Sequence, residues 1–192
     1  MNEDLKYRKA EPADAERIME IIRQAQAQMR ALGSRQWQDG YPARADIDRD
    51  IARGYGYVFE KSDAAENPAA AETPQKYDKG TVPGGVIAYG AVVFDGEPAY
   101  GAIDGAWLTG GDYVVLHRLA VADGEKGRGV AAEFMRRTEA LARGRGVGSF
   151  RVDTNFDNRY MLRMLERLRF AYCGKIIYES GERLAFEKPF EA

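Results

Sequence analysis

The stretch that decides the fold runs from Tyr113-Val-Val-Leu-His-Arg-Leu-Ala-Val121 through Ala122-Asp-Gly-Glu-Lys-Gly-Arg-Gly129 into a helical pattern over 130–143. The first part is almost entirely apolar, which predicts a strand covered on both faces. A glycine-rich loop follows, and the helix begins directly after it. This order leaves backbone N–H groups unpaired at a helix N-terminus, where they and the helix dipole attract an anion. The alternative is a plain turn with a solvated basic edge.

Two familiar phosphate-binding motifs fit this loop poorly. A Walker A loop requires Gly-x4-Gly-Lys-[Ser/Thr], and Val130 and Ala131 occupy the lysine and hydroxyl positions. A dinucleotide fingerprint, Gly-x-Gly-x-x-[Gly/Ala], fits Gly127, Gly129 and Ala132, but it is a weak signal outside the first βαβ unit of a longer chain. Neither motif therefore identifies the ligand of this loop.

The remaining sequence predicts an α/β fold with a mixed sheet and helices on its faces. Predicted strands cover 5–10, 55–59, 85–94, 113–121, 149–153, 170–178 and 183–188, and predicted helices cover 11–33, 44–53, 130–143 and 158–169. Residues 61–80 contain no Ile, Leu, Val, Phe or Met. Such a segment buries too little apolar area to offset its ordering entropy. We therefore expect one domain over 1–192 with a flexible insertion at 61–83.

Composition excludes several classes of function. The formal net charge of −2 disfavours a nucleic-acid-binding protein that works through bulk positive charge. Cys173 and His117 are single residues of their type, which rules out an internal disulfide and a Cys/His zinc site, so we expect no metal. We find neither a signal-peptide pattern nor an apolar run of about 18 residues, and we expect a cytoplasmic protein without a membrane partner.

Three segments carry a resemblance to a known family. Lys126-Gly-Arg-Gly-Val-Ala131 fits the pyrophosphate loop [Gln/Arg]-x-x-Gly-x-[Gly/Ala], with lysine in the first place. His117-Arg-Leu-Ala-Val121 resembles the strand before that loop, and 158–170 resembles the family's Asn-x-x-Ala-x-x-Leu-Tyr-x-x-x-Gly-Phe segment. The chain thus resembles the GNAT superfamily of N-acetyltransferases, and a bacterial subgroup of it, over nearly its whole length.

The resemblance implies the GNAT fold, acetyl-CoA as cofactor, and direct attack of a primary amine on the thioester. It implies that the backbone of Leu119, Ala120 and Val121 binds pantetheine and that Asn158 hydrogen-bonds the cofactor near its reactive end. The residues implied to hold the pyrophosphate are those of the loop, namely Lys126, Gly127, Arg128, Gly129, Val130 and Ala131. A noncatalytic acyl-CoA-binding or sensing module with this fold is the alternative.

The catalytic residues are less well defined. His117 is the first candidate for the base because an imidazole suits proton transfer at neutral pH, and Asp153 is the second. Each also has a purely structural interpretation, as a satisfied strand histidine and a turn-capping aspartate. On a strand with two-residue alternation, His117 is expected to share a face with Tyr113, Val115 and Leu119. Leu165 stands where the family has its acidic tyrosine, and Arg169 replaces the glycine of the same segment. The departure leaves the acid unassigned and favours the noncatalytic alternative.

The acceptor pocket is expected between the first two helices and the 95–107 segment. Its candidate wall residues are aromatic, and ordinary packing is the competing interpretation for each of them. They are Trp37, Tyr41, Tyr100 and Trp107. Neither the acceptor, a small molecule or a protein amine, nor a homodimer of the kind common in the family can be derived from these residues.

Overall fold

Alternating and continuous apolar runs form the strands of this chain, and three- and four-residue apolar spacings form its helices. The computed structural model describes residues 5–62 and 85–190. The helices are α1 (Ala15–Ala31), α2 (Arg44–Ala52), α3 (Val130–Gly144) and α4 (Arg159–Arg167). The strands are β1 (Leu5–Lys9), β2 (Gly56–Lys61), β3 (Gly85–Val93), β4 (Asp104–Gly105), β5 (Tyr113–Val121), β6 (Ser149–Thr154), β7 (Ala171–Tyr178) and β8 (Gly181–Pro189).

The strands form one mixed sheet in the order β1-β2-β3-β5-β6-β8-β7-β4. β5 and β6 are parallel, whereas β1 and β2, β6 and β8, β7 and β8, and β4 and β7 are antiparallel. The predicted mixed sheet with helices is confirmed. The two-residue strand β4 was missed because Asp104-Gly105 carries neither β-branched nor aromatic residues.

Several element boundaries differ from the predicted ones. α1 begins at Ala15 because Pro12–Asp14 forms a separate 3-10 turn, in which the Asp14 side chain accepts a hydrogen bond from the Glu11 N–H at 2.8 Å. β2 extends through Lys61, so the first residue of the expected insertion belongs to a strand. The rest of that insertion, apart from residue 62, lies outside the described residues.

The chain divides into two compact units. The first consists of the described residues between Met1 and Gly90 together with Arg118–Phe134, and the second of Ala91–His117 together with Met135–Ala192. The chain thus passes from one unit to the other within β3, β5 and α3. None of the helices within residues 5–62 and 85–190 is long and apolar enough to cross a membrane.

The core of the first unit is built on the apolar face of α1. Its helical positions Ile18, Ile21 and Ile22 are fully buried. Burying each such side chain contributes about 1.5–3 kcal/mol relative to leaving it in water. A second layer is aromatic: the Phe134 ring packs edge-on against Tyr7 at 5.1 Å and Phe59 at 5.2 Å, measured between ring centroids.

The second unit contains a buried carboxylate, Glu187 on β8, with no exposed surface. Its oxygens accept hydrogen bonds from the Ser149 hydroxyl at 2.7 Å, the Thr109 hydroxyl at 2.6 Å and the Arg151 guanidinium at 3.0 Å. The Leu108 backbone N–H donates to it as well, at 2.5 Å. Burial raises the pKa of this carboxyl, but the hydrogen bonds outweigh that effect and hold it below its ordinary value.

Candidate functional site

The glycine loop of the first unit contains two residues with a left-handed backbone. Asp123–Glu125 forms a 3-10 turn, and Gly127 and Gly129 then adopt φ angles of +77° and +81°. L side chains rarely adopt this region, which explains the two glycines. A Cβ atom placed on either glycine would meet no atom within 4 Å. The space beside the loop is therefore open to a ligand.

The backbone amides of this loop are the donors that such a ligand would use. Within the described part of the chain, the first amide after Lys126 that donates a backbone hydrogen bond is that of Glu133, to the Gly129 carbonyl at 3.0 Å. The amides of residues 127–132 precede it at the N-terminus of α3. A run of unpaired N–H groups at the positive end of a helix dipole is a phosphate-binding arrangement.

The two cationic side chains of the loop are largely neutralised by their own neighbours. Lys126 Nζ lies 2.5 Å from Asp123 Oδ1, and an Arg128 nitrogen lies 3.5 Å from Glu125 Oε2. Glu125 is buried and also pairs with Lys61 Nζ at 3.1 Å. The electrostatic attraction of the loop for an anion therefore depends mainly on its backbone amides and only secondarily on Lys126 and Arg128.

β5 changes its backbone conformation immediately after His117. Arg118 has a φ of +56°, which is uncommon for a residue with a Cβ atom and interrupts the two-residue alternation of a strand. The expectation that His117 and Leu119 share a face by simple alternation is therefore not supported. The parallel register between β5 and β6 covers only Tyr113–Val115, although β5 continues to Val121.

A buried ion pair holds Arg118 in this conformation. Its guanidinium donates to both oxygens of Asp50, at 2.8 and 2.7 Å, and Asp50 is 4% exposed. The Tyr89 hydroxyl donates to the same carboxylate at 2.5 Å, and Arg118 also donates to the Tyr41 hydroxyl at 2.8 Å. We refer to Tyr41, Asp50, Tyr89 and Arg118 as the Asp50 clamp.

The Asp50→Asn variant should lose about 2–3 kcal/mol of unfolding free energy, because it leaves the partly buried Arg118 guanidinium without its bidentate carboxylate. For a chain of this length that loss corresponds to a fall in Tm of about 4–12 °C by thermal denaturation. Asp48→Asn is the matched control, since Asp48 lies on the same helix with a side chain 53% exposed in an ion pair with Arg44. Equal Tm values for the two variants would contradict the role of the clamp.

The second unit brings a carboxylate and two tyrosines together. The hydroxyls of Tyr100 and Tyr178 both donate to Asp153 Oδ2, at 2.8 and 3.1 Å. Burial, and then the negative charge of Asp153, raises the pKa of both phenols above their ordinary value. The tyrosines therefore stay protonated at neutral pH and act as hydrogen-bond donors to a carboxylate at the end of β6.

His117 lies beside this group. Its Nε2 is 3.1 Å from Glu97 Oε2, the separation of an ion pair, and its ring centroid is 6.5 Å from that of Tyr100. The Trp107 indole N–H donates to the Tyr100 carbonyl at 2.9 Å, and the Trp107 and Tyr100 rings pack with centroids 4.9 Å apart. Four predicted site residues thus form one cluster with Glu97 and Tyr178.

Two polar side chains just after Asp153 have no partner. Thr154 Oγ1 and Asn155 Oδ1 are buried, and neither makes a hydrogen bond within residues 5–62 and 85–190. A buried polar atom without a partner costs about 1–3 kcal/mol, so such atoms commonly mark a place for a polar ligand or water. Asn158, the next predicted site residue, uses Oδ1 to accept the Met161 N–H at 3.2 Å and so caps α4.

The other two predicted acceptor residues belong to the first unit. Trp37 packs against the apolar core under α1, and Tyr41 is exposed and belongs to the Asp50 clamp. Leu165, at the position of the family's tyrosine, is fully buried. No three His, Cys, Asp or Glu side chains of the described residues are arranged to hold a metal ion.

Sequence reasoning missed Tyr178 and Asp50. Tyr178 lies at the end of a hairpin strand, where a tyrosine is an ordinary strand residue. Asp50 is one of several charged residues of a short helix, and only its burial distinguishes it. No periodicity or spacing in the sequence identifies either residue.

Comparison with known proteins agrees with this architecture. The sequence profile of the acetyltransferase (GNAT) family matches residues 34–170. An acetyltransferase of the GNAT family from Streptococcus agalactiae is 32% identical, with a TM-score of 0.79, and the match covers 99% of this chain and 98% of that one. A GNAT acetyltransferase from Listeria monocytogenes shares the fold at 19% identity, with a TM-score of 0.68 and coverage of 97% and 95%.

A more distant structure has the same fold. The ribosomal-protein-S18-alanine N-acetyltransferase from Escherichia coli is 11% identical, with a TM-score of 0.60 and coverage of 98% of this chain and 95% of that one. No curated protein matches this chain. The profile match covers well over half of the chain, and the S. agalactiae protein is related over its full length. The chain therefore belongs to the GNAT acetyltransferase family.

Proposed function

We propose that this protein transfers an acetyl group from acetyl-CoA to a primary amine of a small molecule or a protein. The open amides of residues 127–132 carry this proposal, because they offer a pyrophosphate several donors at a helix N-terminus. Family membership supports acyl transfer in general. The acetyl group and the primary amine acceptor are specific to this proposal and go beyond family membership.

The described residues fit a coenzyme A molecule. The space beside Gly127 and Gly129 is open, and the amides of Arg128, Val130 and Ala131 complete the cradle for its two phosphates. The β5–β6 register ends at Val115, and we propose that the backbone of β5 from Leu119 to Val121 pairs with the pantetheine amides. Asn158, oriented by its capping bond, is the proposed contact near the thioester.

Coenzyme A supplies the acetyl group as a thioester, and the protein supplies the groups that move the proton. The attacking amine must be neutral, so a base has to remove its proton. His117 is proposed as this base, because its buried Nε2 makes no hydrogen bond within the described residues and the Glu97 carboxylate 3.1 Å away would stabilise the imidazolium that forms. Bound acetyl-CoA would supply the acetyl group and would leave as the coenzyme A thiolate, and His117 would accept the proton that the attacking amine loses.

Asp153 is the second proposed base and a determinant of the acceptor. Tyr100 and Tyr178 both bind Oδ2, and Oδ1 accepts no hydrogen bond within the described residues. That oxygen is available to an ammonium group or to a water that relays its proton. With Glu97 nearby, the cluster presents two carboxylates among aromatic rings, an arrangement that favours a cationic amine.

The His117→Ala variant should lower kcat about 10²–10³-fold, because the proton then has no positioned acceptor. The dissociation constant for acetyl-CoA should stay within about twofold of the wild-type value. Steady-state thiol release and calorimetric titration measure the two quantities. Loss of binding together with turnover would instead assign His117 a structural role.

The proposed function is tested by titrating the purified protein with acetyl-CoA and then screening amines for release of free coenzyme A thiol. Micromolar binding together with amine-dependent release supports the proposal. If the folded protein binds no acetyl-CoA, the proposal is wrong.

A second candidate is a noncatalytic acyl-CoA-binding module. The observation in its favour is Leu165, a buried aliphatic residue at the position of the family's acidic tyrosine. A leucine cannot protonate the departing thiolate, and the two tyrosines of the cluster are committed to Asp153. Binding of acetyl-CoA with no thiol release for any amine would favour this candidate.

A further inference from the structure

Residues of α3, the last residue of α4 with the two residues after it, and Lys188 of β8 line an open groove of about 460 Å³ in the second unit. Its volume falls within the range of small-molecule sites in proteins. The charged residues that line it are Arg136, Glu139, Arg143, Arg167, Arg169 and Lys188. None of the pyrophosphate-loop residues 126–131 and none of the aromatic cluster around Asp153 belongs to its lining.

The groove carries a clear excess of positive charge. Five cations line it against one carboxylate, but Arg136 and Arg143 also interact with other groups, so the charge that a ligand could use lies mainly on Arg167 and Arg169. Glu139 pairs with Lys188 Nζ at 2.6 Å and with Arg143 at 3.2 Å, so one acidic side chain is shared by two cations. Cations near helix C-termini also offset the helix dipoles, but two helix ends supply only about one negative charge in total.

The backbone conformation of Arg169 is a second, independent observation at this groove. Arg169 follows α4 with a φ of +63°. Its N–H donates to the Glu166 carbonyl, and the Phe170 N–H donates to the Leu165 carbonyl, the pattern of a helix end that favours glycine. Here an arginine occupies that position despite the conformational cost. Within residues 5–62 and 85–190, no ion pair engages Arg167 or Arg169.

We propose that this groove binds a small ligand with two or more phosphate groups, at a site separate from the acetyl-CoA site. Arginine suits phosphate because its planar guanidinium donates two parallel hydrogen bonds. Two phosphate groups would match Arg167 and Arg169, the two lining arginines that no ion pair engages within the described residues. The apolar side chains Ala140 and Leu168 add a small nonpolar surface for the rest of the ligand.

Inorganic tripolyphosphate is the probe, titrated calorimetrically at fixed ionic strength because surface charges are screened by salt. We expect one bound tripolyphosphate per chain in the groove, and binding about fivefold weaker or worse for Arg167→Gln and for Arg169→Gly. Arg163→Gln is the matched control, an exposed arginine of α4 outside the groove, and should change the affinity less than twofold. Equal affinities for all four proteins would overturn the proposal.

Arg169→Gly also separates ligand binding from folding. Glycine adopts the left-handed backbone without strain, so this variant should raise Tm by about 2–4 °C while it lowers the affinity for tripolyphosphate. Weaker binding with a raised Tm cannot come from unfolding and supports the proposal. A lowered Tm would contradict the strain argument on which the proposal rests.

Three further arms identify the source of the phosphate. The Gly129→Glu variant distinguishes the two sites, because it should abolish binding of tripolyphosphate at residues 127–132 and leave binding in the groove unchanged. Two results together would mean that the groove holds the 3′-phosphate of the cofactor, and they would exclude a separate site. In the first, coenzyme A competes with the probe for the groove, and in the second, Arg169→Gly abolishes the preference of the protein for coenzyme A over dephospho-coenzyme A. A single-stranded oligonucleotide that binds more than about tenfold tighter than tripolyphosphate would replace the small ligand by a nucleic acid.

Discussion

Gly129→Glu should abolish measurable acetyl-CoA binding, with a loss of affinity of at least about 100-fold. The residue has a φ of +81°, and a Cβ placed on it points into open space beside the unpaired amides. A glutamate there puts a carboxylate where the proposed pyrophosphate lies. Two like charges within about 4 Å repel by about 1 kcal/mol in water and by several kcal/mol near a protein surface. Calorimetric titration measures the loss.

Gly146→Glu is the control for this variant. Gly146 has a φ of +74°, and a Cβ atom placed on it would also meet no atom within 4 Å, so the strain and the added charge are the same. Both variants should lose about 1–2 kcal/mol of stability from the left-handed backbone. Only the variant at position 129 should lose the ability to bind acetyl-CoA. If Gly129→Glu binds as tightly as Gly146→Glu, the loop does not hold the pyrophosphate.

Glu187→Ala should be the most destabilising single substitution considered, at about 3–5 kcal/mol. It removes the acceptor of the Arg151, Thr109 and Ser149 side chains and leaves a buried guanidinium unpaired. Arg151 cannot move easily toward water, because it lies over the rings of Trp107 and Tyr113 at 4.4 and 3.9 Å. The expected fall in Tm is about 6–20 °C, measured by thermal denaturation.

Glu182→Ala, on the same strand, is the matched control. The Glu182 side chain is 59% exposed and pairs with Lys175, itself 42% exposed, so its loss should change the unfolding free energy by less than about 1 kcal/mol. Glu187→Gln should fall between the two, because the amide retains a carbonyl acceptor but not the charge. A Tm for Glu187→Ala within about 2 °C of that for Glu182→Ala would show that the buried network contributes little.

The elements around the candidate site show what patterns of residues can predict. The strand at 113–121, the glycine loop and the helix from Val130 were all predicted, because each depends on neighbours in the chain: apolar continuity, glycine spacing and a helical repeat. The same local reasoning led to the expectation that His117 and Leu119 share a face. It failed at Arg118, whose left-handed backbone is tied to a clamp with residues far away in sequence.

The charges of the loop show the same limit. Lys126 and Arg128 were expected to attract the phosphates, and that role stays a prediction. The structure shows each of them already paired, with Asp123 and Glu125. Their acidic partners lie only three residues away, so an i,i+3 pattern indicated this pairing in principle. The burial of Glu125 and its second partner, Lys61, were not visible in the sequence.

By itself, the sequence determined the order of the elements apart from the two-residue β4, the glycine loop at the start of α3 and the family to which these features point. Tertiary structure alone decided which distant polar groups meet: Asp50 with Arg118, Asp153 with Tyr178, and Glu187 with Thr109. The physical reason is the distance along the sequence over which each interaction acts. Backbone conformation and helix ends depend on residues a few positions apart, whereas a buried charge is tolerated only where the packed fold delivers its partner.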